Sequence, residues 1–324
     1  MKMILARVLC SLSVVAWALP AIAAEDAYPS GRITLVVPFA SGGATDSLAR
    51  LIAQKMSASV KQAVVVENKP GAGGSIGSLE VARAPADGYT ILLGTSSTHG
   101  VNPWIYKLPY DVTKDFAPIA MLATGEYALA INPKFNPDIK TVSDLLALAK
   151  SRRVTYASQG NGTNSHLAAA LLSKITGVEF AHIPYKSQAP AQVDLLAGHV
   201  DFMIDAIATT LPHAKSGALR VLATTGRTRA AVFKDVPTMI EAGVPGYEMM
   251  GWYVLLAPAA TPVAIINRLN AEVLKAIDSA DVRERMLVDG NTPYPTSPAE
   301  ARDFMASQLI IFRQAVDVAG AKVD

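Results

Sequence analysis

The stretch Val36-Val37-Pro38-Phe39-Ala40-Ser41-Gly42-Gly43-Ala44-Thr45-Asp46 joins a short apolar run to an amphipathic one. Upstream, Ile33-Thr34-Leu35-Val36-Val37 is branched and bounded by Gly31 and Pro38, the pattern of a buried parallel strand. Downstream, Leu48, Leu51, Ile52 and Met56 recur at helical spacing with Arg50 and Lys55 between them, so a helix is expected from near Thr45. The stretch is then a strand-to-helix turn in which two glycines let the backbone pass close to a neighbour and free N–H groups face outward. A turn of that kind attracts a small anion.

A second stretch repeats the design. Val154-Thr155-Tyr156-Ala157 reads as a strand, Ser158-Gln159-Gly160-Asn161-Gly162-Thr163-Asn164 as a polar turn, and His166 to Leu172 as the start of a helix. Singly, each fits an ordinary glycine-rich connection. Paired about a hundred residues apart, they suggest two α/β lobes facing each other across a cleft. Neither turn holds lysine or arginine, so a carboxylate there would be held by backbone N–H groups, hydroxyls and helix dipoles.

The chain has 324 residues and starts with Lys2 and Arg7, an apolar run from Val8 to Leu19, and the small-residue segment Pro20-Ala21-Ile22-Ala23. This is the pattern of an export signal over residues 1–23, so the expected location is the periplasm. The single cysteine, Cys10, falls inside it, which argues against disulfides, lipid anchoring and cysteine catalysis in the mature chain. Without Lys2 and Arg7, the 29 basic residues balance the 27 acidic ones, and no basic stripe suited to nucleic acid or a membrane surface is present.

Further along, Ala63 to Asn68 reads as a strand, followed by Lys69-Pro70-Gly71-Ala72-Gly73-Gly74-Ser75-Ile76-Gly77 and a helix over Ile76–Ala84. The loop fails as a dinucleotide fingerprint because Ile76 takes the third glycine position. It satisfies the G-x-S-x-G spacing of a hydrolase elbow at Ser75, yet Lys69 to Ala72 separate that serine from the strand. Strand Tyr89–Leu93 leads into Gly94-Thr95-Ser96-Ser97-Thr98-His99-Gly100, four hydroxyls and an imidazole on the sheet edge where ligands bind; His99 is either a donor to ligand or a structural group. Separate strands are expected at Ile119–Leu122 and Tyr127–Ile131, with Asp111, Asp115 and Phe116 in a connector, and Thr141 with Asp144 as a helix cap. Lys186 follows strand Glu179–Pro184 as a cation near the site edge, or as a solvated lysine. Asp205 ends a strand before Ala206, placed either to accept from a ligand hydroxyl or ammonium or to cap the next helix. Residues from Pro262 to Asp324 read as two or three covering helices.

Across the mature chain, ordered matches accumulate: Val36-Val37-Pro38-Phe39-Ala40 with Gly42-Gly43 and Asp46, Val66-Glu67-Asn68-Lys69-Pro70-Gly71-Ala72-Gly73-Gly74, Asp87-Gly88-Tyr89-Thr90, Tyr156-Ala157-Ser158 with Gly160-Asn161-Gly162, His182-Ile183-Pro184-Tyr185-Lys186, Asp235-Val236-Pro237-Thr238 and Glu241-Ala242-Gly243. The chain resembles the tripartite tricarboxylate transporter substrate-binding proteins, the Bug receptors. The resemblance implies an α/β fold of the periplasmic binding protein type II kind, with two lobes, a ligand cleft and a two-strand hinge. Lobe 1 would comprise residues 24–123 and 226–324, and lobe 2 residues 124–225. It implies a ligand carboxylate between the two turns, with Phe39, Ala40, Ser41, Thr45 and Asp46 on one side and Ser158, Asn161, Thr163 and Asn164 opposite. Thr98, Tyr185 and Asp205 would shape the part that varies between members.

The sequence departs from the family pattern at Gln159, where a small residue is usual, and at Ser187, where glycine usually follows the Tyr-Lys pair. Glu126 adds an acid near the expected crossover, facing ligand or solvent. The resulting expectation is a non-catalytic, monomeric receptor without cofactor or metal. Its partners would be a small organic acid (a di- or tricarboxylate, an amino acid or an aromatic acid) and membrane transporter subunits. The alternatives are an extracytoplasmic sensor and a serine hydrolase using Ser75.

Overall fold

The computed structural model describes residues 28–319. The expected signal sequence and Cys10 lie outside the described residues.

Lobe 1 begins with β1 (Ile33–Val37), α1 (Ala44–Val60), β2 (Val64–Asn68), α2 (Ser75–Ala82) and β3 (Thr90–Thr95), after which one turn of π-helix over Ser97–Val101 leads into the short α3 (Asn102–Ile105). β1 lies between β2 and β3 and pairs parallel with both, as its branched apolar run requires. Leu48, Ala49, Ile52, Ala53 and Met56 form the buried stripe of α1 and pack on Ile33, Leu35 and Val37. Lobe 2 alternates in the same way: α4 (Val142–Ser151), β5 (Thr155–Ser158), α5 (Asn164–Thr176), β6 (Ala181–Pro184), α6 (Gln188–Ala197), β7 (Phe202–Ala206), α7 (Ile207–Lys215) and β8 (Arg220–Thr224), where β5 pairs parallel with β6 and β7.

Between the lobes runs one strand of 16 residues, β4 (Phe116–Ile131), where the sequence suggested a connector and two separate strands. Thr124-Gly125 resembles a break, but Ala123, Thr124, Gly125 and Glu126 pair with Tyr253, Trp252, Gly251 and Met250 of β9 (Met250–Pro258), and that partner keeps them extended. Phe116 likewise belongs to the strand, opposite Pro258. From Tyr127 onward β4 changes partners, to β7 and β8. The strand order is β2-β1-β3-β9-β4-β7-β5-β6, so a single mixed sheet passes through both lobes.

The chain closes with α8 (Val263–Asp278), α9 (Ala280–Val288), β10 (Asn291–Pro293), which pairs with β4, and α10 (Pro298–Ala319). The last helix is more than solvated cover. Its buried Ala301, Met305, Phe312 and Val316 join the large core that also holds Leu167 and Leu171 of α5. A side chain on Gly100 in the π-turn would strike Phe312, so this helix also lies against lobe 1.

Thr141 and Asp144 form the expected capping box on α4: the Asp144 N–H donates to Thr141 Oγ1 at 3.1 Å and the Thr141 N–H to Asp144 Oδ2 at 2.9 Å. Thr141→Ala should lower stability by about 1 kcal/mol in urea unfolding with an unchanged m-value. An unchanged midpoint would show that the exposed cap contributes nothing.

Candidate functional site

The ends of β1, β3, β5 and β7 and the starts of the helices that follow them meet in the middle of the molecule. A narrow cavity there, with room of about 20 Å³, is walled by Phe39, Ala44 and Thr45 from lobe 1 and Gln159, Asn164 and Gln188 from lobe 2. Ser96 and Ser97 line it from the π-turn, Ala206 from the start of α7, Tyr127 from β4, and Trp252 and Tyr253 from β9. No Lys, Arg, Asp or Glu is among the lining residues. Four helices of nine residues or more (α1, α5, α6 and α7) begin on its wall, each with first-turn N–H groups that helix geometry leaves without an intrahelical partner. The aligned dipoles give the cavity positive potential without any cation.

The first turn shows why glycine is used there. Gly43 is the N-cap of α1 in extended conformation, and a Cβ on it would sit 2.7 Å from Gln188 Oε1. Bare backbone lets the other lobe approach, and the Ala44 N–H donates to Gln188 Oε1 at 3.0 Å. Asp46, expected at the ligand, holds the turn instead. It accepts from the Gly42 N–H at 3.0 Å, Arg50 Nε at 2.9 Å and Asn68 Nδ2 at 3.0 Å. Burial pushes its carboxyl up, but the hydrogen bonds from Arg50, Gly42 and Asn68 outweigh burial and keep it below the usual carboxylate range. Phe39 and Thr45 line the cavity, while Ala40 is half-buried and Ser41 exposed outside it.

In the loop after β3, Thr98 turns inward: its Oγ1 accepts from the Thr95 N–H at 2.9 Å and lies 2.8 Å from His99 Nδ1. His99 is fully buried edge-on to Phe116, and burial lowers its pKa to about 3, so it is a neutral structural group. Ser96 and Ser97 face lobe 2. The Asn164 N–H donates to Ser97 Oγ at 2.9 Å, and the Asn164 amide lies 2.5 Å from Ser96 Oγ and 2.6 Å from the Tyr127 hydroxyl. Asn164 therefore ties the start of α5 to both the opposite lobe and the crossing strand, and its Oδ1 keeps no partner of its own.

The second turn stands on a stack of aromatic rings. His166 and His182 lie parallel with centroids 4.3 Å apart, and Tyr156 stacks on His182 at 4.8 Å. Burial lowers His166 to about 4 and His182 to about 3, leaving both neutral near pH 7. Ser158 Oγ, 2.6 Å from His182 Nε2, accepts from the Gly160 N–H at 3.1 Å, and Thr163 Oγ1 donates to Gly160 O at 2.8 Å. The carbonyl of Asn161 accepts from the Tyr106 hydroxyl across the cleft at 2.6 Å. Ser158, Asn161 and Thr163 thus shape the turn, and of the four residues expected on this side Asn164 alone lines the cavity.

Tyr185 and Lys186 sit further out, in a wider mouth of about 560 Å³ that shares Phe39 and Gln159 with the inner cavity; the Tyr185 hydroxyl donates to Asp194. Asp205 lies just behind the wall, buried, accepting from Gln188 Nε2 at 2.6 Å and Thr209 Oγ1 at 3.2 Å. Glu126 packs against Gly226, where β8 leads back toward lobe 1, and burial pushes its carboxyl up. Ser75 follows η-type turn Ala72–Gly74 rather than a strand, and its Oγ accepts from Asn102 Nδ2 at 3.3 Å. Among the described residues no group of three or more His, Cys, Asp or Glu is placed to hold a metal ion.

Residues 48–316 match the tripartite tricarboxylate transporter family receptor model. The chain belongs to that family. The tripartite tricarboxylate receptor described here is 37% identical to the protein BugT of Bordetella pertussis, with 92% of each chain covered. Among solved structures it superposes on R. palustris Rpa4515 with adipate at a TM-score of 0.88, with 35% identity, covering 91% of this chain and 100% of that one. It superposes on the periplasmic binding protein BugD at 0.87, with 33% identity, covering 91% and 99%.

The residues missed in the sequence had unequal signals. Ser96 and Ser97 sat in the hydroxyl loop already singled out, and Gln188 follows a strand and opens a helix just as Ala44 does. Tyr127, Trp252 and Tyr253 carry no local mark, because only strand register decides which side chains meet the cleft.

Burial pushes the Asp205 carboxyl up to about 6, against hydrogen bonds from Gln188, Ala206 and Thr209 that pull it down. The folded value lies above the ordinary one, so the stability contributed by the neutral acid is fully present below about pH 4 and lost as pH rises through about 6. Asp205→Asn, which stays neutral, should retain on the order of 3 kcal/mol that the native chain loses across that window. Parallel stability curves from pH 4 to pH 8 for the two proteins would show that Asp205 carries no burial cost.

Proposed function

We propose that this protein is a periplasmic receptor that captures a small organic carboxylate between its lobes and presents it to a tripartite tricarboxylate-type membrane transporter. One observation carries the reading: four helix N-termini and the Ser96-Ser97 hydroxyls converge on a cavity that no charged side chain lines. Such a cavity takes an anion of modest charge and holds it without a strong ion pair, so the ligand is released when the lobes part. The adipate in the related Rpa4515 structure supports a carboxylate ligand, and BugD supports a periplasmic location.

In this reading Phe39, Thr45 and Asn164 touch the ligand, together with Ser96, Ser97, Tyr127 and Gln188. Asp46, Ser158, Asn161, Thr163 and Thr98 hold the donors in place, and Tyr185 with Lys186 form the entrance. Lobes 24–123 with 226–324 and 124–225 move about a hinge near Ala123-Thr124 and Thr224–Gly226, close before the point at Tyr127 where β4 changes partners and just where β8 ends. The protein acts as a monomer and leaves its ligand chemically unchanged.

Mature protein, residues 24–324, screened by thermal shift against organic acids and their amides should be stabilised by one or more acids and by none of the matching amides. At a hundredfold excess over Kd the gain is about 2.7 kcal/mol. Asn164→Leu should weaken that binding about tenfold or more while the ligand-free melting temperature stays above that of the screen. An acid recovered as a different compound, or stabilisation by amides as strong as by acids, would overturn the receptor reading.

A further inference from the structure

Gln188, like Asn164, is a lining amide whose hydrogen-bonding capacity can be counted. Its amide nitrogen has two hydrogens, and two acceptors meet it: Asp205 Oδ1 at 2.6 Å and Thr209 Oγ1 at 2.7 Å. An ionised carboxylate can only accept, so the nitrogen must face Asp205 and the oxygen must face lobe 1. That oxygen accepts from the Ala44 N–H at 3.0 Å and keeps one lone pair free, on a side chain that lines the cavity. Gln188 is buried, and with both hydrogens taken it offers the cavity an acceptor and no donor.

The electrostatics point the same way. Each helix N-terminus carries about half a positive charge, so the four beginning on the cavity amount to about two. Asp205 lies at the start of α7 and behind the start of α6, and its carboxylate offsets about one of them. The first N–H of α1 is already taken by Gln188 and that of α5 by Ser97. What remains suits one negative charge, placed toward Ser96, Ser97 and Thr45 and away from Gln188.

We infer that Gln188, aimed by Asp205, makes the cavity select an acid with a single carboxylate and, at its other end, a hydrogen-bond donor. Hydroxy acids and amino acids meet that description. Diacids do not, because their second carboxylate would face the Gln188 oxygen with the Asp205 carboxylate behind it. This deepens the receptor reading above and rests on it. Asp205 acts as a positioning residue, reaching the ligand only through Gln188.

The test is calorimetric titration near pH 7.5 of the native protein, Gln188→Leu, Gln188→Glu, Asp205→Asn and the double variant Gln188→Leu/Asp205→Asn. The probes are matched three- and four-carbon sets: propionate and butyrate, lactate and 3- and 4-hydroxybutyrate, alanine and 4-aminobutyrate, malonate and succinate. The native protein should bind a hydroxy or amino acid about tenfold or more tighter than the diacid of equal length. Gln188→Leu, close in volume but without the acceptor, should bring that ratio within about threefold, and Gln188→Glu should raise the ratio of amino acid to hydroxy acid. Asp205→Asn lets the amide turn over, so it too should flatten the ratio, with no further change in the double variant.

A native preference for the diacid, or a ratio that survives Gln188→Leu, overturns the inference while leaving the receptor intact. Effects of Asp205→Asn and Gln188→Leu on the ratio that simply add overturn the positioning role. A native protein that binds no organic acid in this set or in the wider screen removes the receptor reading, and the inference goes with it.

Discussion

Every α-helix begins with N–H groups that have no partner inside the helix. Here four helices bring that deficiency to one place, and much of the architecture follows from it. The turns feeding α1 and α5 carry glycine because a side chain at Gly43 would collide with Gln188, and one at Gly162 would meet Tyr106 and Asn102 from the opposite lobe. Donors held by backbone geometry do not need a flexible lysine. They cannot swing out of position, and they lose no side-chain entropy when an anion arrives.

The fold was legible where periodicity and turn chemistry agree. β1, α1, the polar turn at Ser158, the α4 capping box and the alternation of strand and helix all stand where local sequence placed them, because each is decided by neighbours in the chain. What escaped was decided by distant partners. Thr124-Gly125 looks like a strand break until β9 pairs with it across more than a hundred residues. Asp46, expected at the ligand, accepts from Arg50 on one oxygen and from Asn68 on the other, and the second contact comes from β2. The inner cavity was legible as a place, the carboxyl ends of parallel strands, and only partly as a set of side chains. Gln188, Tyr127, Trp252 and Tyr253 reach it through tertiary register that no short window encodes.

The polar residues around the turns divide into those that touch the cavity and those that keep it rigid. Beneath the second turn Ser158 bonds to His182, Thr163 donates to the Gly160 carbonyl and His166 accepts from the Gly162 N–H, and both imidazoles stay neutral in their buried stack. A turn braced in this way presents its outward N–H groups at fixed angles. The same logic explains Thr98 and His99 beneath the π-turn. The hydroxyls of Ser158, Thr163 and Thr98, which the resemblance implies at the ligand, each bond to the backbone of their own turn.

Closure itself must be balanced against opening. Across the cleft the lobes meet through Ala44 with Gln188, Asn164 with Ser96 and Ser97, and Tyr106 with Asn161. Each such bond contributes about 0.5–1.5 kcal/mol net, since water satisfies the same groups when the cleft is open. The sum is a few kcal/mol, comparable with the cost of ordering the side chains involved. In the receptor reading proposed above, a ligand that binds the closed form more tightly than the open one shifts the balance toward closure. α10 packs on α5 and on the π-turn together, so it joins elements of both lobes. Gln188 then has two duties that compete. Its grip on Ala44 favours closure, and the same grip removes a donor from the site, so the residue that helps shut the cleft also narrows what the cleft can hold.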